Sequence, residues 1–264
     1  MSQSWRLIPM IQANGAQQMA IDRWLLDQHC RGEQPPILRF YTWEPVALSL
    51  GYHQRDYPER WQELQYRGAP IAIVRRPTGG RAVLHQGDLT YAVIASGLSP
   101  RRRESYEQIC EFLIQGWRSL EVELNYGNAG RGYMQNPNCF GTATAADLVT
   151  ENGAKFIGSA QLHKDGAVLQ HGSMRLRGDR ELFEQVFGEP TVLPELPSNL
   201  NEAKITAALV NSAAQCFNAE FTIAPLSPIE NSAIDASIRL SSNSVGPKAP
   251  GIAGFDSGSP SIGG

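Results

Sequence analysis

The chain has 264 residues, of which 42% are hydrophobic and 19% charged, with a formal net charge of −3. That composition suits one globular domain with a core of ordinary size, and it gives no whole-chain argument for nucleic-acid binding. No apolar run approaches the roughly 20 residues needed to span a bilayer, and the N-terminus MSQSWRLIPMIQANG lacks the basic start and apolar core of a signal peptide. A cytoplasmic protein away from membranes is expected.

In chain order, residues 14–29 carry Met19, Ile21, Leu25 and Leu26 at helical spacing behind Asn14, a natural N-cap. ILRFYTW (37–43) and VALSLGY (46–52) are strand patterns parted by Pro45, and a hairpin or bent ribbon is expected of them. PERWQELQYRG (58–68) reads as a short helix, with Pro58 in its first turn and Gly68 at its end. Residues 70–76 and 89–95 are β-rich. Residues 104–119 place Tyr106, Ile109, Cys110, Leu113 and Trp117 on one helical stripe.

EVELNY (121–126) reads as a strand. Three more runs, 146–150, 154–163 and 167–174, are separated by Asn152-Gly153 and Asp165-Gly166. Those dipeptides supply the positive φ angles of tight hairpins, so an antiparallel meander is expected. Residues 178–187 and 199–216 read as helices. From about residue 226 the chain is rich in Ser, Gly and Pro. A catalytic domain over 1–226 and a disordered tail over 227–264 are the expected division. Antiparallel pairs mixed with helices, rather than strict alternation, argue for an α+β fold of mixed, largely antiparallel sheets packed with helices.

Four stretches could carry chemistry. RRPTGGRAVLH (75–85) sets a Gly-Gly pair among Arg75, Arg76 and Arg81 and ends on His85. Gly79 and Gly80 allow close backbone approach to a ligand, and neighbouring N–H groups can cradle an anion. The stretch is neither GxGxxG nor a Walker loop, and a plain glycine hairpin with solvated arginines is the competing reading. Of the four cysteines, Cys30, Cys110, Cys139 and Cys216, no two are close enough for a metal or redox pair. Cys139 alone sits in an Asn/Pro/Gly segment, NPNCFGTA, where a thiol could serve as a nucleophile or simply lie inert. Lys155 opens a strand and could reach a carbonyl or phosphate as a point charge, or face water. GSAQ (158–161) puts Gly158 and Ser159 in that strand, and a strand glycine often marks close approach. His171 lies beside them in QHGS.

Together these pieces resemble the biotin/lipoate protein ligase superfamily on its lipoate side, in the lipoate–protein ligase A and cysteine-dependent octanoyltransferase family. The resemblance covers residues 5 to about 216. RRPTGGRAVLH resembles its RRxxGGxAVxH signature, DLVTENGAKFIGSAQ its lysine-bearing segment, and WEPVALSLGYHQ an early W-x-P-x-x-S-x-G-x-x-Q segment; LQHGS also fits. The resemblance implies a biotin/lipoate ligase-like catalytic domain. Ligases of this family use ATP to make lipoyl-adenylate, whereas octanoyltransferases take octanoate from acyl carrier protein. Arg81 and Asp88-Leu89-Thr90 stand where ligases tend to have a third glycine and a Gly-Asn, so this sequence looks more like the cysteine-dependent transferases.

On that branch Cys139 and Lys155 are the implied catalytic residues. Arg75, Arg76, Gly79, Gly80, Arg81, His85, Gly158, Ser159 and His171 are the implied substrate-binding residues. The implied donor is octanoyl acyl carrier protein. The implied acceptors are lipoyl domains such as glycine cleavage H protein or 2-oxoacid dehydrogenase E2 subunits. No cofactor, metal, nucleic acid or membrane is implied, and a monomer is expected. An ATP-dependent lipoate ligase and an amidotransferase between lipoyl-bearing proteins are the alternatives.

Overall fold

The computed structural model describes residues 2–127 and 147–244. Among them an eight-stranded sheet forms the centre, in the order β13–β1–β2–β8–β12–β11–β10–β9. Its strands are β1 (Gln3–Ala13), β2 (Ile37–Trp43), β8 (Leu89–Ser96), β9 (Leu124–Tyr126), β10 (Asp147–Thr150), β11 (Lys155–Lys164), β12 (Ala167–Met174) and β13 (Ala219–Ile223). β1 runs parallel to β2 and β13, and the remaining pairs are antiparallel. The expected meander is present. Asp165 and Gly166, with φ of 48° and 80°, turn β11 into β12.

Alternation along β8 shows why the sheet is covered on both faces. Leu89, Tyr91, Val93 and Ala95 join one core with α2 (Arg102–Arg118) and α4 (Glu202–Cys216). Ala92 and Ile94 join the opposite core with α1 (Gly15–Cys30). The stripe read from the sequence of α2 is intact: Tyr106, Ile109, Cys110, Leu113 and Trp117 are all buried in the first core. Asn14 caps α1 by accepting from the Gln17 N–H at 2.9 Å.

A three-stranded sheet lies beside the large one, with β3 (Ala47–Leu50) between β6 (Ala72–Arg75) and β7 (Val83–His85). Its apolar side packs with Trp61 and with α3 (Arg180–Phe187). The mixed α+β architecture therefore agrees with the sequence reading, while three local expectations fail. β2 and β3 do not pair; they belong to different sheets, because the chain at Glu44-Pro45 leaves one sheet for the other. Residues 58–68 are not one helix. A 3₁₀ turn at Glu59–Glu63 stops, and Gln65–Tyr66 (β4) pairs with Ala69–Pro70 (β5). Trp61 is buried there with its indole N–H on the Val186 carbonyl at 2.8 Å, so tertiary packing overrides helix propensity.

The third correction concerns the tail. Pro228–Ser244 is a helix, α5, packed on α1. Ile234 is fully buried in the α1 core, with Ile238 and Leu226 against it. Arg6 grips Glu230 at 2.6 Å and the carbonyls of Ala224 and Pro225. Two isoleucines one turn apart supply the anchoring that overall composition hid. Residues 245–264 lie outside the described part of the chain.

Candidate active site

The two sheets meet over a cleft of about 420 Å³, lined by residues from α1, both sheets and the glycine turn. Met19, Tyr41, Trp43, Val83 and Ala160 give it apolar walls; Ser49, Arg76, Gly80, His85, Gly158, Ser159, His171 and Ser173 also line it.

The glycine turn is held from several directions. Gly51 passes so close to Gly80 that any Cβ on Gly51 would collide with the Gly80 carbonyl. The Tyr52 N–H donates to the Thr78 carbonyl at 2.8 Å. Arg76, buried, donates to the carbonyls of Ser49 (2.8 Å), Gly79 (2.8 Å) and Arg81 (2.7 Å). Arg75 donates to the carbonyls of Gly51 and Gln54 at 2.9 and 2.6 Å. Both arginines thus fasten backbone. Arg76 also lines the cleft, whereas Arg75, Gly79 and Arg81 do not.

Two carboxylate–imidazole–hydroxyl chains converge on the cleft. In one, Asp88 Oδ2 lies 2.7 Å from His85 Nδ1, and His85 Nε2 lies 2.8 Å from Ser49 Oγ. In the other, Asp22 Oδ2 lies 2.7 Å from His171 Nδ1, and His171 Nε2 lies 2.6 Å from Thr78 Oγ1. Each carboxylate has further partners. Asp88 accepts from Ser173 Oγ at 2.6 Å and Thr90 Oγ1 at 3.2 Å. Asp22 accepts from Arg39 at 3.0 Å and Tyr41 at 2.9 Å.

Burial pushes the Asp22 carboxyl up, but Arg39, His171 and Tyr41 outweigh it and hold the pKa below the ordinary value. Burial lowers His85, and the nearby Arg76 adds to this against the pull of Asp88. His85 also lies flat against Trp43, with ring centroids 3.7 Å apart. A carboxylate at Nδ1 selects the tautomer that leaves Nε2 as acceptor in a neutral imidazole.

Lys155 stands behind the strand glycine. Its Nζ is 2.8 Å from Asp147 Oδ2, and both side chains are buried. A Cβ on Gly158 would lie 3.3 Å from Lys155 Cε and 3.7 Å from Nζ, so the missing side chain leaves the lysine's end next to the cleft wall. Ser159 Oγ is 2.8 Å from the Tyr91 hydroxyl beneath the sheet.

The structure therefore brings Arg76, Gly80, His85, Gly158, Ser159 and His171 to one cleft, with Lys155 at its edge. Cys139 lies outside the described residues. Sequence reading missed Asp22, Ser49, Thr78 and Asp88. Asp88 carried a signal, since it follows His85 by three residues; Asp22 sits on α1 and reaches His171 only through the fold. Among the described residues, no cluster of His, Cys, Asp and Glu could hold a metal ion, and no helix is long and apolar enough to cross a membrane.

The chain is similar to known proteins in sequence and in fold. The family model described as the lipoyl protein ligase A/B catalytic domain matches residues 14–223. Octanoyltransferase LipM of Kyrpidia tusciae is 40% identical over 200 residues, covering 72% of each chain. Octanoyltransferase LipM of Bacillus subtilis is 37% identical over 200 residues, covering 72% of this chain and 71% of its own. Among solved structures, one chain from a structural analysis of an archaeal lipoylation system, described as a bi-partite lipoate protein ligase and its E2 lipoyl domain from Thermoplasma acidophilum, shares the fold. That match has a TM-score of 0.67 and 18% identity, over 90% of this chain and 92% of the other.

Proposed function

The chain belongs to the lipoyl protein ligase A/B catalytic-domain family, and within it we propose that the chain is an octanoyltransferase of lipoate biosynthesis, like the LipM relatives it resembles. The octanoyl group comes from acyl carrier protein. Cys139 attacks the carrier thioester and keeps the acyl group as an enzyme thioester while the carrier thiol leaves. The ε-amine of a lipoyl-domain lysine then attacks, forming the amide and freeing the cysteine. Acceptors are lipoyl domains such as H protein or E2 subunits, and the setting is the cytoplasm. The apolar walls of the cleft suit the acyl chain, at roughly 0.8 kcal/mol per buried methylene.

The observation that carries this reading is Lys155, whose ammonium end lies beside Gly158 at the cleft edge. A fixed cation there can steady the charge that develops on an attacked carbonyl. The three described cysteines support Cys139 by contrast. Burial pushes the Cys110 thiol up to about 12, and it raises Cys30 and Cys216 as well. None of the three lines the cleft.

The test is to mix the enzyme with octanoyl carrier protein and a lipoyl domain, without nucleotide. Octanoylation of the domain is expected, together with a hydroxylamine-labile octanoyl mass gain on the enzyme that Cys139→Ala abolishes. Activity only with free octanoate or lipoate plus ATP would overturn the reading in favour of a ligase.

A further inference from the structure

The cleft has a direction. Four of its lining residues form one line across the large sheet, because the ladders pair Gly158 with Ser173, Ser173 with Thr90 and Thr90 with Tyr41. The line crosses β11, β12, β8 and β2 in turn. Its first three members are small and leave a trough across the strands; Tyr41 is the first large side chain along it. Lys155 lies beside Gly158 at one end. Ser159 and Ala160 at that end are half-buried, whereas Thr90, Tyr41 and Met19 are 3%, 0% and 4% exposed. Among the described residues the trough therefore opens at β11 and is blind at β2.

Its length can be compared with an acyl chain. Neighbouring strands lie about 4.8 Å apart, so Gly158 and Tyr41 are separated by about 14 Å. Van der Waals contact at the Tyr41 end takes up about 4 Å of this, leaving about 10 Å. An extended alkyl chain advances about 1.25 Å per carbon, which makes octanoyl about 9 Å long and decanoyl about 11 Å. With its carbonyl beside Lys155, an octanoyl group fits the trough and a decanoyl group overruns it.

Helix α1 closes the blind end. Gln18 donates to the carbonyls of Ile11 and Thr42, each at 3.0 Å, and Asp22 accepts from the Tyr41 hydroxyl at 2.9 Å. Met19, between those two anchors, is held over the Tyr41 end and lines the cleft. Tyr41 and Trp43 are each pinned by a hydrogen bond, to Asp22 and to Thr90. The Met19 side chain is flexible and apolar, so its size can change without breaking such a bond.

From this geometry we infer that Met19 is a specificity-determining residue, the stop that meets the methyl end of the acyl chain and holds the enzyme to the octanoyl length. The inference rests on the acyl-transfer reading above, with its carbonyl beside Lys155. A longer chain either presses into Met19 or keeps its carbonyl short of Lys155. A shorter one leaves apolar wall uncovered, at about fourfold per missing methylene.

The experiment compares hexanoyl, octanoyl, decanoyl and dodecanoyl carrier proteins as donors to one lipoyl domain. One methylene too many in an apolar pocket costs about tenfold or more, so the unaltered enzyme should favour octanoyl over decanoyl by at least that factor. Met19→Ala frees room for about two methylenes. Its decanoyl-to-octanoyl ratio of kcat/KM should rise by about 15-fold or more. Met19→Phe should move the preference towards hexanoyl, and it carries the test if the alanine variant does not fold. A purely structural role would slow all lengths alike and leave the ratios in place. Ratios within about threefold of the unaltered enzyme's in either folded variant overturn the assignment. So does an unaltered enzyme that takes decanoyl as readily as octanoyl. An enzyme inert with every carrier but active on free acids plus ATP overturns the transferase reading alone. The same four lengths, supplied as free acids, then give the ratio on which Met19 is judged.

Discussion

Lys155 Nζ and Asp147 Oδ2 lie 2.8 Å apart, with each side chain only 5% exposed. Two adjacent strands, β10 and β11, place them, where the ladder shifts register between Leu148 and Val149. A buried ion pair of this kind contributes little net stability, but losing one partner leaves the other charge uncompensated. Lys155→Met should therefore do two things. Octanoyl transfer should fall by about 100-fold or more through loss of the cation at the cleft, and stability should drop by about 3–5 kcal/mol. The double variant Asp147→Asn/Lys155→Met should recover most of the stability and none of the transfer. Urea unfolding and transfer assays on the three proteins check this; recovery of both together would make the lysine a structural residue only.

A second prediction follows from α5. Arg6 makes a bidentate contact with Glu230, and Ile234 is buried against α1. The Arg6 hydrogen bonds, with help from Ser227, hold the Glu230 carboxyl down at about 2, against the opposing effect of burial. A depressed carboxyl stabilises the fold above its unfolded pKa, near 4.3–4.5, and that contribution is lost as pH falls towards 2. Glu230→Gln should thus lower the melting temperature at pH 7, with the difference from the parent shrinking as pH falls and nearly gone at or below about pH 2. Ending the chain at residue 226 should cost more, because it also removes Ile234, whose loss resembles a buried Ile→Ala change of about 2–5 kcal/mol. A full melting temperature in the shortened chain would show that α5 is dispensable.

These residues also show what a sequence can and cannot convey. The meander was legible because Asn152-Gly153 and Asp165-Gly166 fix turns locally. α2 was legible because five residues keep one helical stripe. α5 was hidden because its anchoring rests on Ile234, Ile238 and a salt bridge to Arg6, 224 positions away. The site divides the same way. His85, Gly80, Gly158 and His171 sit in recognisable motifs, but the partners that orient the histidines are side chains from elsewhere. Asp22 reaches His171 across 149 residues and Ser49 reaches His85 across 36. No local periodicity carries such pairings. Arg75 and Arg76 show the same limit: an arginine beside glycines suggests an anion, and only the fold reveals that both also donate to backbone carbonyls.

The glycine turn offers a third prediction. Because a Cβ on Gly51 would collide with the Gly80 carbonyl, Gly51→Ala must push the turn away from β3. Overpacking of this type costs about 1–3 kcal/mol. The displaced turn also strains the contacts of Thr78 with His171 and of Arg76 with Gly79. Transfer should fall at least tenfold, while the circular dichroism spectrum stays that of a folded α+β protein. An active Gly51→Ala enzyme would mean that the turn's position does not matter to catalysis.

The last prediction concerns the thiols. Alkylation requires the thiolate, so a raised pKa and burial both slow it. Cys110, fully buried, has its thiol pushed up to about 12, where the thiolate is about one part in 10⁴ at pH 8. Cys30 and Cys216 are half-buried, and burial shifts both upward as well. If Cys139 is the acyl carrier, it must form a thiolate readily near neutrality. A short iodoacetamide pulse at pH 8 on the native protein, followed by peptide mapping, should therefore label Cys139 first and Cys110 last. Prior loading with octanoyl carrier protein should protect Cys139 alone, and hydroxylamine should restore its labelling. Denaturation in urea should make all four cysteines react at similar rates, showing that the order belongs to the fold. If Cys30 or Cys216 is labelled first and its alkylation alone stops octanoyl loading, the nucleophile has been misassigned and Cys139 is an incidental cysteine.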